Sequence, residues 1–577
     1  MPIHNADIAA VFSEIADLLE IQGANAFRIR AYRNAARTIN DYGRDLASLI
    51  DRGEALPKLA GVGPDLSAKI EEIARTGHST FLDGLHKEWP AAVTTLLQIP
   101  GLGPKRVKVL YDSLHVRSLE DLDAAVRAGR LRDLPGFGPR TEENIRQAVA
   151  AHWTKARRFR LAVATPYAES LVAYLQGVPG VHQVVVAGSF RRRQETVGDL
   201  DILAVAESGL SVAERFVAYD EVSEVLAGGA TRASVRLRCG LQVDLRVVSA
   251  QSYGAALHYF TGSKAHSISV RRLAQAQGLK INEYGVFRGT RRIAGATEES
   301  VYAAVGLAYI PPELRENRGE IEAARTGALP VLIERHDLRG DLHSHTVASD
   351  GHASLEDMAR AAQAQGLQYL AITDHSQHLS VAHGLDSRRL AEQGAVIDAW
   401  NAAHPEITLL KGIEVDILED GALDLPDAAL KSLDLVVGAV HSHFGLSRAH
   451  QTERILRALD HPCLTLLAHP TGRLIGSREA YDVDMMRIIR KARACGCHLE
   501  LNAQPERLDL TDIHCQMARA EGVLVSIDSD AHATTDLRFL QYGIDQARRG
   551  WLERQHVLNT RTLAELAPLL RRDRHCS

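Results

Sequence analysis

Apolar positions recur at helical spacing at the start of the chain. Ile8, Val11, Phe12, Ile15, Leu18 and Leu19 mark one face of a helix over 8–19. Three short segments punctuate the helical pattern of the first 150 residues: Leu59-Ala60-Gly61-Val62-Gly63-Pro64, Ile99-Pro100-Gly101-Leu102-Gly103-Pro104 and Leu134-Pro135-Gly136-Phe137-Gly138-Pro139. Each precedes a polar, helix-like stretch, so a glycine–hydrophobic–glycine hairpin between helices is repeated. The pattern changes to strands from residue 180 onward. His182–Ala187 is rich in valine, and Asp199–Ala206 and Leu241–Val248 alternate charged with apolar residues. A polar, charged stretch from Pro311 to Arg325 reads as a connector. Beyond Arg339, seven apolar runs alternate with helix-like segments: Gly340–His343, Tyr369–Thr373, Thr408–Val415, Leu433–Val440, Thr465–Ala468, His498–Leu501 and Val523–Ile527. This is the pattern of β/α units with a parallel sheet, and seven runs suit a barrel.

Length and composition limit the classes that remain. The 577 residues call for several domains at roughly 100–200 residues each. A chain that is 45% hydrophobic and 24% charged, with mean hydropathy −0.13, is neither fibrous nor largely disordered. It holds no long uncharged apolar run, so no transmembrane helix is expected. The N-terminus lacks a basic-then-apolar signal pattern, and the expected location is the cytoplasm. Cys239, Cys463, Cys495, Cys497, Cys515 and Cys576 form no C-x-x-C pair, which excludes a zinc ribbon or a thioredoxin-like motif and suggests reduced thiols.

Charge is distributed unevenly. Residues 1–300 carry 38 Lys+Arg against 33 Asp+Glu; residues 301–577 carry 29 against 39. Of the 26 histidines, 17 follow residue 338. The front can meet a polyanion, and the acidic, histidine-rich back can hold metal cations.

Each region carries a candidate chemistry. In the repeated hairpins, glycine permits the tight turn, and the next helix offers backbone N–H groups to a phosphate. Such a device grips nucleic-acid backbone without reading sequence. The candidate contacts are Gly61, Gly63, Gly101, Gly103, Gly136 and Gly138, with Lys105, Arg106, Lys108 and Arg140 following two of the hairpins; plain helix–helix turns are the other reading. In the middle, Gly188-Ser189-Phe190-Arg191-Arg192 precedes Val197-Gly198-Asp199-Leu200-Asp201. Asp199 and Asp201 sit two apart on a strand and face the same way. Asp244, on another strand, can lie beside them. Three hard carboxylates suit two Mg²⁺ or Mn²⁺ ions, and Ser189 and Arg192 offer donors to a triphosphate. A D-x-D pair alone is often mere surface alternation; the preceding Gly-Ser and arginines set this one apart. At the back, His343, His345, Asp350, His375, Glu414, His441, His469, Asp530 and His532 lie at the ends of six of the seven apolar runs. That is where a β/α barrel gathers its active site, and the donor set fits Zn²⁺, Mn²⁺ or Fe²⁺.

The middle segment resembles the nucleotidyltransferase signature of family X (polymerase beta-like) DNA polymerases. Tyr259-Phe260-Thr261-Gly262-Ser263 resembles that family's nucleotide-pocket motif, and Ile281-Asn282-Glu283-Tyr284-Gly285 its thumb motif. The H-x-H…D, T-D-H, G-x-E, H, H-P and D-x-H elements at the back resemble the polymerase-and-histidinol-phosphatase (PHP) domain. The resemblance implies a multidomain α/β fold: a helix-hairpin-helix N-terminal region, a nucleotidyltransferase palm and thumb, and a distorted seven-stranded β/α (PHP) barrel. It divides the chain into a lyase-like domain (1–85), a fingers-type domain (86–160), palm and thumb (161–318), a linker (319–338) and the PHP domain (339–577). It makes Asp199, Asp201 and Asp244 the metal-binding catalytic triad. Ser189, Arg192 and Gly198 would contact the incoming triphosphate, Tyr259, Phe260 and Gly262 its sugar, and Arg271 the minor groove. Ser267 departs from an asparagine that some members use against the incoming base. Lys69 falls at a Schiff-base lysine position, with Arg28 and Tyr32 as 5′-phosphate contacts; a plain phosphate-binding or surface lysine is the alternative.

The implied cofactors are two Mg²⁺ or Mn²⁺ ions at the polymerase site and up to three Zn²⁺ or Mn²⁺ ions in the PHP domain. The implied partners are gapped or primer-template DNA and dNTPs, acted on by a monomer with no membrane association. Gap-filling synthesis and 3′→5′ exonuclease activity are expected, with AP endonuclease or 3′-phosphatase as further activities of the rear site. Two alternatives stand beside this: a DNA-binding module that anchors a PHP nuclease, and a small-molecule phosphatase fused to a polymerase.

Overall fold

A computed structural model describes residues 5–40, 46, 50, 56–59, 61–90, 92–99, 101–156, 158–379 and 382–570. Ala60 and Pro100 of the repeats, and Cys576, lie outside the described residues. The chain forms two compact units, Met1–Arg157 and Arg158–Ser577. No helix among the described residues is long and apolar enough to cross a membrane, and the five described cysteines are free thiols.

The first unit is helical. The helix read over 8–19 spans Asn5–Gln22, and its periodic residues Ile8, Phe12, Ile15, Leu18 and Leu19 are buried in one core. The three repeats adopt one backbone geometry. Val62, Leu102 and Phe137 each donate an N–H to the carbonyl three residues earlier (3.2, 2.9 and 3.1 Å). The first glycine of each is left-handed, at φ 76°, 91° and 81°, a conformation that suits residues without a Cβ. The second glycine of the first two repeats caps the next helix, Pro64–Thr76 or Pro104–Leu114, without a side-chain capping bond.

The second unit opens on a mixed five-stranded sheet: β1 (Val181–Val186), β2 (Asp199–Ala206), β3 (Val222–Ala227), β4 (Arg232–Leu237) and β5 (Gln242–Val248). The order is β1-β2-β5-β4-β3, and only β2 and β5 run parallel. An antiparallel sheet follows, β6 (Lys280–Asn282), β7 (Gly285–Arg288) and β8 (Arg291–Ala294). The stretch read as a connector is folded into the core beside it. Arg315 and Glu320 are fully buried, Glu320 lies 2.6 Å from the His266 ring, and Glu320–Thr326 is helical. Arg315, Glu316 and Glu320 find their partners inside the protein, which the polar composition could not reveal, while Glu322 and Arg325 stay exposed.

The remainder is a β/α barrel. Its strands are β9 (Gly340–Asp341), β10 (Tyr369–Ile372), β11 (Thr408–Lys411), β12 (Glu414–Asp416), β13 (Val437–Ala439), β14 (Leu466–Leu467), β15 (His498–Asn502) and β16 (Val525–Asp528). The run Thr408–Val415 is two strands rather than one. Gly412 breaks it at a crowded point, where a Cβ would sit 2.8 Å from Thr373 Cγ2. Two parallel sheets result, β9-β10-β11 and β12-β13-β14-β15-β16, joined by the bridges His375–Glu414 and Ser344–Ala531. Asn559 stitches the closure between the first and last strands. Its Nδ2 donates to the carbonyls of Gly340 (2.8 Å) and Ile527 (2.7 Å), and its Oδ1 accepts from Ile527 N (3.1 Å).

Asn559→Leu keeps the volume and strands these buried groups. A loss of about 3 kcal/mol is expected, measured as a lower urea midpoint followed by circular dichroism. An unchanged midpoint would show that the barrel closes without the asparagine.

Candidate active sites

The parallel register of β2 and β5 places Asp201 opposite Asp244, and Asp199 opposite Gln242. Asp199 shares a strand face with Asp201, so three carboxylates meet at one end of the sheet. Gln242 Nε2 donates to Asp244 Oδ2 at 2.9 Å, and the Ser234 hydroxyl donates to Asp244 Oδ1. Burial, then the carboxylates of Asp199 and Asp244, push the Asp201 carboxyl up to about 7, against the guanidinium groups of Arg246 and Arg192. Charge crowded in this way suits a divalent cation.

Gly188 forms the other wall. It is left-handed at φ 63°, and a Cβ there would lie 2.4 Å from Asp201 Oδ2. Ser189 follows on the same turn. Arg192 donates through Nε to Glu316 (2.8 Å) and through Nη1 to the Thr261 carbonyl (2.8 Å). Gly198 directly precedes the strand that carries the first aspartate. Tyr259 and Phe260 end the helix Tyr253–Thr261 and Gly262 caps it, with room for no side chain: a Cβ would meet His266 at 2.9 Å. Arg271 Nε donates to Ser267 O. The Ser267 hydroxyl is buried without a hydrogen-bond partner.

The barrel gathers all nine of its expected ligands. His345, Asp350, His375 and His532 form one cluster; His343, His345 and Asp530 a second; His375, Glu414 and His441 a third, with ligand atoms within 4.8 Å of one another in each. His469 Nε2 lies 2.9 Å from Glu414 Oε1. Several of these buried atoms make no hydrogen bond: His343 Nε2, both ring nitrogens of His345, His375 Nδ1, His469 Nδ1 and Glu414 Oε2. His375 Nδ1 and Glu414 Oε2 approach to 2.7 Å without hydrogen-bonding geometry. Unpartnered imidazole and carboxylate atoms converging on shared points fit metal ions, since bare burial of such groups is unfavourable. His378 and His443 are about half exposed, near Asp416 and Glu419 respectively, and His383 uses its carbonyl to accept from Arg389.

In the helical unit, Arg28, Tyr32 and Lys69 converge on Phe81. The Tyr32 ring stacks on it at 6.0 Å, with the Arg28 guanidinium 4.9 Å and Lys69 Nζ 5.7 Å from its centroid. Lys69 Nζ also lies 2.6 Å from Asp65. Lys105 is exposed beside the second hairpin. Arg106 has a different partner from the phosphate read for it: it donates to the carbonyls of Gly101 and Gly136 and so ties two hairpins together.

Comparison with known proteins places family matches over each of these regions except the aspartate-bearing sheet. Residues 3–79 match the helix-hairpin-helix domain and 93–150 the SAM-like helix-hairpin-helix tandem. Residues 256–316 match the DNA polymerase beta thumb, and 341–477 the PHP domain. The chain is 38% identical over 575 residues to the DNA polymerase/3′-5′ exonuclease PolX of Bacillus subtilis, covering 99% of this chain and all of that protein. It belongs to the family X DNA polymerases that carry a PHP domain. The rear alone also matches a probable phosphatase of Thermoanaerobacter sp., 28% identical over 233 residues, which are 38% of this chain and 89% of that protein. A probable phosphatase of Acetivibrio thermocellus is 30% identical over 167 residues, 28% of this chain and 64% of that protein.

This family X polymerase also holds residues that sequence reasoning missed. Glu500 is fully buried on the one barrel run to which no ligand was assigned, accepting from His343 Nδ1 (2.6 Å) and His469 N (2.7 Å). Burial alone would depress the His343 imidazole; Glu500, Glu414 and Asp530 outweigh it and hold it well above its usual value. Asp416 lies 3.1 Å from His441 Nδ1. Its signal was its place two residues after Glu414, on the same strand face. For Glu500 no local signal stood out, because its strand, His498–Asn502, alternates polar with apolar residues as a half-exposed strand does.

Glu500→Gln should weaken Mn²⁺ binding by about 10–100-fold, measured by metal content after dialysis, with dNTP incorporation intact. Full metal retention would mean that Glu500 does not set the His343 tautomer. Gly188→Ala should displace the Asp201 carboxylate and lower polymerase kcat/KM about 100-fold, with exonuclease activity unchanged as the check on folding.

Proposed function

We propose that this polymerase fills gaps in DNA by nucleotidyl transfer at Asp199, Asp201 and Asp244, and that its PHP domain trims 3′ ends. The observation that carries the first part is the Asp201–Asp244 register with Gly188 packed against it. Bound there, two Mg²⁺ or Mn²⁺ ions supply charge neutralisation and a lowered pKa at the primer 3′-hydroxyl. The chain's own residues orient the substrates. Ser189, Arg192 and Gly198 hold the triphosphate, Tyr259, Phe260 and Gly262 shape the sugar pocket, and Arg271 reaches the minor groove. The hairpin glycines, with Lys105, grip the DNA backbone through N–H groups, so binding needs few cations and falls moderately with salt. Lys69, once parted from Asp65, is the amine for 5′-deoxyribose-phosphate release, with Arg28 and Tyr32 on the phosphate.

In the barrel the nine residues would hold up to three Zn²⁺ or Mn²⁺ ions, which would supply Lewis acidity for phosphodiester hydrolysis. Glu500 and Asp416 orient His343 and His441. The name of the Bacillus subtilis relative, a DNA polymerase/3′-5′ exonuclease, favours a DNA 3′ terminus as substrate; AP endonuclease and 3′-phosphatase activities follow from the same chemistry. The domains are taken as 1–85, 86–160, 161–318 and 339–577, joined by 319–338, and the protein as a cytoplasmic enzyme working at the nucleoid.

A gapped, 5′-phosphorylated duplex separates the two reactions. Asp199→Ala should reduce dNTP incorporation to background and leave 3′-nucleotide release intact; His343→Ala should do the reverse. Incorporation surviving in the first variant overturns the polymerase assignment, and exonuclease activity surviving in the second overturns that of the rear site.

A further inference from the structure

The turn that carries Arg192 is held from the barrel side. Arg549, the last residue of the barrel helix Leu540–Arg549, donates from Nη1 to the Arg192 carbonyl at 2.9 Å. The same Nη1 lies 3.1 Å from Glu316 Oε1, and Nη2 donates to Asp512 Oδ2 at 2.6 Å. Only 3% of the Arg549 side chain is exposed. Glu316 in turn accepts from Arg192 Nε (2.8 Å) and Gln194 Nε2 (2.5 Å). Asp512 also accepts from Arg318 (2.8 Å). Arg548 grips the same segment through Glu313 (2.8 Å). Two pairs flank the cluster, Arg473 with Glu195 (2.7 Å) and Arg193 with Asp545 (3.7 Å).

This arrangement fixes Arg192 at two levels. Its backbone is pinned by a charge-assisted bond, and its side chain is aimed by Glu316, whose own place is set by Arg549. The Arg192 Nη2 makes no bond among the described residues, and its guanidinium lies near enough to Asp201 to oppose that group's shift. Arg549 also shares the charge of Glu316, so Arg192 is not wholly neutralised by one carboxylate. A guanidinium held in place without full neutralisation is prepared for an anion.

We propose that Arg549 is a positioning residue of the nucleotide site, so that affinity for the incoming nucleoside triphosphate depends on a residue of the PHP barrel. The proposal rests on the reading of Arg192 as a triphosphate ligand. It is tested in the full chain by single-nucleotide insertion on a one-nucleotide gap with Mg²⁺. Arg549→Met should raise KM for the dNTP about tenfold, the loss of one charge-assisted bond. Its kcat should stay within about twofold, and exonuclease activity should be unchanged. Arg549→Lys should give a smaller rise in KM; it carries the test alone if the methionine variant does not fold. Arg192→Ala should raise KM further, and adding Arg549→Met to it should have no additional effect. An unchanged KM in the Arg549 variants beside a raised KM in Arg192→Ala overturns the proposal and leaves Arg192 in its role. So does a parallel fall of kcat and exonuclease activity in a folded Arg549 variant. An unchanged KM in Arg192→Ala overturns the reading of Arg192 and the proposal with it.

Discussion

Removing an ionised group from water costs several kcal/mol unless opposite charge or hydrogen-bond donors replace the solvent. Three of the places where the second unit concentrates buried charge are told apart by how each is compensated. Around Glu316 and Asp512, guanidinium groups from Arg192, Arg318 and Arg549 face the carboxylates directly, and both acids are held below their usual range. Around Asp201 compensation fails: burial and two neighbouring carboxylates outweigh two arginines, and the carboxyl is pushed up to about 7. In the barrel, imidazoles and carboxylates crowd together with ring nitrogens left unpartnered. The first is an ion-pair joint that is complete within the protein. The other two leave buried charge or ring nitrogens incompletely matched, and the donor chemistry of each fits cations.

Parallel strands make these concentrations possible. In the five-stranded sheet the only parallel pair is the one that carries the aspartates, and its register sets Asp201 beside Asp244. In the barrel every strand pairing is parallel, so strand ends of one polarity collect at one rim. Side chains arriving there from sequence-distant runs meet without long loops. The cost is closure: the first and last strands are two and four residues long, and their junction depends on Asn559 and the carboxylates of Asp341 and Asp528. Polar side chains there add to the few backbone bonds, such as His345 N to the Ala531 carbonyl, that such short strands supply.

This separates what sequence could show from what it could not. The parity of Asp199 and Asp201 is a local consequence of strand geometry, and the nine candidate ligands of the barrel announce themselves at the ends of apolar runs. Both were therefore legible, as were the repeated hairpins, whose shared turn follows from glycine at one position. Glu500 was not, because its importance comes from a partner, His343, 157 residues away. The split at Gly412 was not legible either, because the neighbours that leave no room for a Cβ there, Thr373 and Ile372, are distant in the chain. Pro311–Arg325 read as a connector because it is rich in charge, yet for part of that charge the solvent is other side chains, Arg315 with Glu298 and Glu320 with His266. Polarity reports a need for partners and cannot say whether water or protein supplies them.

That distinction bears on how the two halves of the second unit relate. Arg473 joins Glu195, on the turn between Arg192 and Asp199, to the carbonyls of Arg507 and Leu508. Arg507 in turn lies 3.6 Å from Asp530, one of the candidate metal ligands of the barrel. Contact is thus continuous from one cluster of carboxylates to the other. Continuity alone is not energetic coupling, which needs an element with two arrangements that both sites bias. Buried, hydrogen-bonded arginines work against such an element, because each alternative arrangement must leave a charge or a carbonyl unpaired. The joint therefore acts as a frame. It holds both clusters in fixed relation, because each arginine that would have to move is already committed to a carboxylate or a carbonyl.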